Sequence, residues 1–77
     1  MNAELVVTLD DTIKRYEDVT MNAIAVEAKI RPGTVSDLCA GRSKAIKFET
    51  LQAIVNALNT LTNERHTIED VIAIEYR

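Results

Sequence analysis

The side chains most suited to bind a ligand are the basic residues concentrated between positions 29 and 47. This stretch has five basic residues and one acid, a net charge of +4: Lys29, Arg31, Asp37, Arg42, Lys44 and Lys47. The other residues include four basic and eleven acidic side chains, or −7, so the whole chain carries −3. Clustered cations are typical of a surface that binds phosphates, and the acidic remainder would repel them. A solvated lysine-rich loop is the alternative explanation.

Catalytic and metal-binding chemistry finds little support in the residue types. The single histidine, His66, lies in a polar segment and is expected to be solvated. The single cysteine, Cys39, is expected to pack as a small apolar residue. No Cys/His cluster has metal-ligand spacing, and two glycines do not make a phosphate-binding loop. We therefore expect a protein that is not an enzyme, with no metal and no cofactor.

Length and composition indicate one folded domain. The 77 residues are 47% hydrophobic and 27% charged, which suits a globular protein with a modest core. No apolar run approaches the ~18 residues of a membrane span, and the first residues do not resemble a signal sequence. Because a lone cysteine cannot form an internal disulfide, we expect a cytoplasmic location.

Two short helices joined by a tight turn are predicted within residues 20–41. Apolar residues recur at helical spacing in 21–28 and again in 32–40, so each segment has one apolar side. Pro32 is unfavourable inside a helix but favourable as its first residue, and it pushes Arg31 out of the helical conformation. Gly41 suits the positive φ that often follows a helix.

This pair matches the helix-turn-helix unit, whose second helix enters the major groove of DNA. Ala25 is the small residue required where the two helices cross, and Ile30 fills the turn between them. With the later segment FETLQAIVNAL, similar to the family's fourth helix, residues 9–72 resemble the phage-repressor (lambda-repressor-like) class of transcriptional regulators. Lys29 and Arg31 depart from the family pattern, which usually has a glycine and a capping Ser or Thr at these positions.

The resemblance implies a mainly α fold of four to five helices, to which the residue pattern adds short strands at both ends. It also implies a DNA-binding regulator, a repressor, whose helix 32–40 contacts the bases of double-stranded DNA. Carried over by position, the base contacts would come from Arg31, Gly33, Thr34, Ser36 and Asp37. Arg31 has the fork that pairs with guanine, and an aspartate such as Asp37 accepts from the cytosine amino group.

Phosphate contacts are expected from the start of the first helix of the pair and from the cations after the second. A helix N-terminus favours anions because its amides are unpaired, and flanking cations add charge. The predicted phosphate contacts are Thr20, Met21, Asn22, Arg42, Ser43, Lys44 and Lys47.

The remaining elements follow from hydrophobic periodicity. Residues 4–9 alternate as a strand with one buried face, although they could also begin a first helix, which is predicted over 10–16. A fourth helix begins near Phe48 and buries an apolar stripe that includes Phe48, Leu51, Ile54, Val55 and Leu58. The polar segment 59–66 either extends this helix or forms a loop. Thr67 and Asp70 have capping-box spacing, and 71–76 reads as a second strand.

The two terminal strands are expected to pair, and two readings of their role remain open. An isolated two-stranded ribbon has free edges, which favours a homodimer through an intermolecular sheet. Alternatively, the C-terminal strand only covers the core of a monomer. A dimer would bind a near-palindromic operator with half-sites about 34 Å apart.

The rival functional interpretation is a protein-interaction module, such as an antitoxin or anti-repressor, that uses the same fold against a protein partner.

Overall fold

The computed structural model describes all 77 residues and is mainly helical, with a two-stranded antiparallel sheet. In chain order the elements are β1 (Ala3–Val7), α1 (Leu9–Lys14), α2 (Met21–Ala28), α3 (Pro32–Cys39), α4 (Phe48–Thr62), a 3₁₀ turn (Ile68–Asp70) and β2 (Ile72–Tyr76). The predicted bounds of α2 are confirmed. The predicted strand 4–9 ends earlier, because Leu9 begins α1 and is fully buried. The first helix ends at Lys14 rather than at residue 16.

Local capping explains why α2 and α3 are separate helices. The Thr20 hydroxyl accepts from the Ala23 amide at 3.0 Å and opens α2 as predicted. At the other end Lys29 adopts a left-handed conformation with φ 59°, and the Ile30 amide donates to the Ala25 carbonyl at 3.0 Å. These bonds satisfy carbonyls that a helix end otherwise leaves unpaired. The chain therefore turns within three residues, and Pro32 starts α3 as predicted.

The core lies where three helices meet and is closed by the residue before β2. It consists of buried apolar side chains from the four helices and from two positions outside them, Val19 and Val71: Leu9, Val19, Ile24, Ala25, Val35, Leu38, Leu51, Ile54, Ala57, Leu58 and Val71. Helix α2 is central, since it contacts both α3 and α4. Burying a large aliphatic side chain stabilises a fold by about 1.5–3 kcal/mol relative to its exposure. The burial of these side chains therefore stabilises the packing of α2 against α3 and α4.

Helix α4 confirms one prediction and corrects another. Its apolar stripe includes Leu51, Ile54 and Leu58, which are buried, and the helix extends to Thr62 into the segment predicted to be a turn or an extension. Asn63 then ends it with φ 56°. The prediction that Phe48 belongs to the buried stripe is wrong, because its side chain is 88% exposed. Phe48 is the first helical residue, and no element of the chain covers that end of the stripe.

The terminal strands pair with each other, as predicted. Leu5 lies opposite Ile74 and Val7 opposite Ile72, in an antiparallel register. The ribbon contacts the core only near Val7 and Ile72, so the expected buried face of β1 is buried at one end alone, and Leu5 is exposed. Hydrogen bonds from the amides of residues 8 and 9 to the Val71 carbonyl, at 2.9 and 3.1 Å, fix the ribbon to α1.

A polar cluster around His66 holds the C-terminal segment, and the prediction of a solvated histidine is wrong. The His66 side chain is 5% exposed, and its Nδ1 lies 2.9 Å from Asp70 Oδ2. Its Nε2 lies 2.9 Å from the Thr62 hydroxyl and 3.4 Å from that of Tyr16. Since a carboxylate only accepts, Nδ1 carries a proton. The cluster thus joins α1, the end of α4 and the 3₁₀ turn.

Asp70 has several partners in this cluster. Its Oδ2 accepts from the Thr67 amide at 3.2 Å, as the capping-box spacing predicts, and Arg15 lies 3.3 Å from Oδ1. Partial desolvation raises the pKa of Asp70, but the hydrogen bonds from His66, the Thr67 amide and Arg15 outweigh it and lower the pKa below its usual value. The ionised carboxylate therefore stabilises the native fold.

Replacing Lys29 by glycine should raise the free energy of unfolding by about 0.5–1 kcal/mol, because glycine adopts a left-handed conformation without the steric cost of a Cβ. Urea titration measures the difference. Lys14→Gly, at the last helical position of α1, is the control and should lower stability. A Lys29→Gly protein less stable than the wild type would contradict the strain assigned here.

Asp70→Asn should lower the free energy of unfolding by about 1–2 kcal/mol near pH 5, because a cap and an ion pair are lost. Because the native pKa of Asp70 is lowered, its contribution is complete above its unfolded pKa of about 4 and declines as the pH falls further. Denaturation at a series of pH values measures the wild-type-minus-variant difference. Glu69→Gln is the neighbouring control and should change little. A difference that persists unchanged in strong acid would refute this role.

Candidate nucleic-acid interface

Helix α3 is fixed from one side and open on the other. Val35 and Leu38 are buried, and Cys39 packs against the same core while remaining partly exposed. Ser36 and Asp37, on the opposite side, are exposed. Helix α3 packs against α2 and α1. Its buried residues are apolar, and the polar side that includes Ser36 and Asp37 faces solvent. A ligand could therefore approach this side without any rearrangement of the core.

The N-terminus of α3 presents the first three predicted base contacts. Arg31 is the N-cap residue, extended and exposed, and its side chain caps nothing within the chain. Gly33 is exposed, and a Cβ added there would meet no atom within 4 Å. Thr34 is half-buried, and its amide donates to the Arg31 carbonyl at 3.0 Å. The start of α3 is therefore accessible at Arg31 and Gly33, and the Arg31 guanidinium group is free.

Two of the predicted DNA contacts, Asp37 and Arg42, form an ion pair with each other. The guanidinium group of Arg42 lies 3.0 Å from Asp37 Oδ1, with Nε donating at 3.0 Å. Both side chains are more than half exposed, so the pair contributes at most about 1 kcal/mol and can open for a ligand. The bridge also reduces the repulsion that an isolated Asp37 carboxylate would exert on a phosphate. Sequence spacing alone did not predict this pair.

The predicted phosphate contacts lie on both sides of α3. Thr20, Met21 and Asn22 open α2, which packs directly against α3, and all three are exposed. The Thr20 hydroxyl accepts from the Ala23 amide, so its own proton stays available for a phosphate oxygen. The loop between α3 and α4 holds the other predicted contacts, all exposed: Arg42, Ser43, Lys44 and Lys47.

The distribution of unpaired cations supports an anionic ligand on this side. In the acidic part of the chain, Lys14 pairs with Asp10, Arg15 with Asp70, and Arg77 with Glu4 and Glu75. Five basic side chains make no ion pair. Four of them lie in the segments before and after α3 in the chain, namely Lys29, Arg31, Lys44 and Lys47, and the fifth is Arg65. Lys29 was not among the predicted contacts, although its place in the turn between α2 and α3 adds it to this surface.

The Cys39 thiol does not belong to the open side of α3. Burial raises its pKa, and the charge of Asp10 raises it further. A raised pKa lowers the fraction of reactive thiolate, so Cys39 acts as a packing residue, as its position in the sequence predicts.

Comparisons with known proteins assign neither a family nor a function to this chain. No protein-family model, no curated protein and no solved structure matches this chain. None of the helices has both the length and the apolarity needed to cross a membrane.

Gly33→Ala should leave the fold intact and raise helix stability by up to about 1 kcal/mol, because alanine is the better helix former and has room. If the start of α3 lies against DNA, the added methyl group should weaken DNA binding by about tenfold, the cost of an overpacked contact. Thermal unfolding and fluorescence anisotropy with a labelled duplex measure the two effects. Unchanged affinity in a folded variant would show that no close approach occurs at Gly33.

Proposed function

We propose that the chain is a sequence-specific double-stranded DNA-binding transcriptional regulator, a repressor of lambda-repressor-like fold, that inserts α3 into the major groove. The observation that carries the proposal is the exposed polar side of α3, with four unpaired cations in the segments before and after it in the chain. A helix about 10–12 Å across fits the major groove, which is about 12 Å wide. The proposed location is the cytoplasm.

Base recognition is assigned to the first turns of α3. The free guanidinium of Arg31 suits a bidentate contact to guanine O6 and N7. Thr34 can contact a thymine methyl group, and Ser36 can donate to or accept from several base edges. Asp37 can accept from a cytosine amino group once Arg42 turns from it to a phosphate, because opening their exposed bridge costs little.

Orientation on the duplex is assigned to phosphate contacts that carry no sequence information. The first amides of α2 point away from the helix and suit a phosphate on one side of the groove. Lys44 and Lys47 suit the backbone beyond the other end of α3. The acidic remainder of the chain, including the ribbon residues Glu4 and Glu75, would be held away from DNA by repulsion.

One recognition helix covers one half-site, so we propose that the protein acts as a homodimer on a near-palindromic operator. Each phosphate that the basic side chains neutralise should add ~0.9 to the slope of log affinity against log salt. Binding is therefore expected to be strong at low salt and to fall steeply as the salt concentration rises.

A protein-interaction module, such as an antitoxin or anti-repressor, is the second candidate. The exposed apolar side chains of Leu5, Phe48 and Tyr76 favour it, since patches of this kind often mark protein contacts. A titration of the protein with mixed-sequence DNA at low salt distinguishes the two candidates. The regulator should bind such DNA non-specifically, whereas complete absence of binding would favour the interaction module.

Arg31→Ala and Lys47→Ala should separate base recognition from phosphate binding. Arg31→Ala should remove about 1–3 kcal/mol of discrimination at one base pair, because a bidentate contact is lost. Lys47→Ala should weaken binding to all sequences alike and lower the salt slope by ~0.9. Competition binding with single-base operator variants, repeated over a salt series, measures both effects.

Lys14→Ala removes the same charge from α1, where Lys14 pairs with Asp10, and serves as the control that should leave DNA binding unchanged. An Arg31→Ala protein with unaltered base preference would remove Arg31 from the contacts. Equal losses from Lys14→Ala and Lys47→Ala would mean that overall charge, rather than the surface around α3, determines binding.

A further inference from the structure

An apolar surface continues from the β1–β2 ribbon to the start of α4. Its large side chains, each at least half exposed, are Leu5, Phe48, Ile68, Ile74 and Tyr76. The register places Leu5, Ile74 and Tyr76 on the same face of the ribbon, because successive strand side chains alternate. Phe48 lines one groove with Leu5 and a second groove with Ile68, so the patches join. We call these five residues the ribbon surface.

The ribbon surface is too apolar to be explained as ordinary protein surface. Phe48 and Tyr76 are large aromatic residues with most of their area open to water, and no other segment of the chain covers them. Contiguous exposed apolar patches of this kind mark contact sites. A specific interface needs about 800 Å² from each partner, about one-seventh of the 5564 Å² surface of this chain. The two aromatic side chains could contribute about 150–250 Å² each.

Charges at the two ends of the ribbon surface indicate which partner fits. One groove is lined by Leu5, Ile72 and Lys44, and an adjoining groove by Leu5, Ile72 and Glu69. The shared residues lie in the middle, so a cation flanks one side and a carboxylate the other. Neither Lys44 nor Glu69 makes an ion pair within the chain. A two-fold axis through the middle would bring Lys44 of each copy towards Glu69 of the other.

We infer that a second copy of this chain docks on the ribbon surface in a two-fold arrangement, with Phe48 and Leu5 at its centre. Pairing of free strand edges alone would leave Phe48 and Ile68 in water, because both lie outside the ribbon, whereas face-to-face docking covers all five residues. This inference deepens the proposed function by naming the surface that joins two α3 helices, and it rests on that function only for the operator geometry.

Sedimentation equilibrium of the full chain without DNA tests the inference. The wild type should sediment at twice the mass of one chain. Phe48→Ser should raise the dimer dissociation constant by about 30-fold or more, because a central aromatic anchor is lost from both copies. Val26→Ser is the matched control: Val26 is 69% exposed on α2, outside the ribbon surface, and its removal should leave the dimer intact. Circular dichroism verifies that both variants are folded.

Charge reversal identifies the partner as a second copy. Glu69→Lys alone should weaken the dimer, and Lys44→Glu added to it should restore the dimer, since the attraction is re-formed with exchanged signs. A monomeric wild type would overturn the inference, as would a Phe48→Ser dimer of undiminished stability. A double variant that dissociates further than Glu69→Lys would also overturn it. Since DNA is absent, these outcomes do not depend on the proposed function, which the mixed-sequence DNA titration tests separately.

Discussion

The buried crossing of α2 and α3 is the constraint on which the rest of the structure depends. Ala25 and Ile24 of α2 are almost fully buried, and α2 packs directly against α3. Val35 and Leu38 then fix the inner side of α3 to the core. With one side held in this way, Ser36 and Asp37 can only face solvent. The same packing that stabilises the fold therefore creates the surface proposed to bind DNA.

The positive charge of the chain is concentrated in residues 29–47, which include α3, whereas the other residues carry a net negative charge. Three cations of the acidic part, Lys14, Arg15 and Arg77, pair with carboxylates, whereas Lys29, Arg31, Lys44 and Lys47 have no partner in the chain. Unpaired cations cost little in water but interact strongly with a phosphate backbone. The ribbon surface is the second open feature, and Lys44 lies where the two surfaces meet.

Local signals in the sequence predicted local structure well. The Thr20 cap, the turn at Lys29 and the helix start at Pro32 depend on neighbouring residues alone, so composition and spacing suffice. The errors concern contacts between distant segments. Periodicity places Phe48 on the apolar stripe of α4 but does not reveal that nothing lies opposite it. His66 is four residues from both Thr62 and Asp70, a spacing that indicates its burial only once α4 and the 3₁₀ turn are known to converge.

The exposed side of α3 is tested most directly by selection of bound duplexes from a random DNA pool, followed by sequencing. We expect one enriched motif made of two related half-sites about 10 base pairs apart, since a two-fold dimer presents two copies of α3 to successive major grooves. Recovery of no DNA, or of DNA with no common sequence, would contradict the assignment of α3 as a recognition helix.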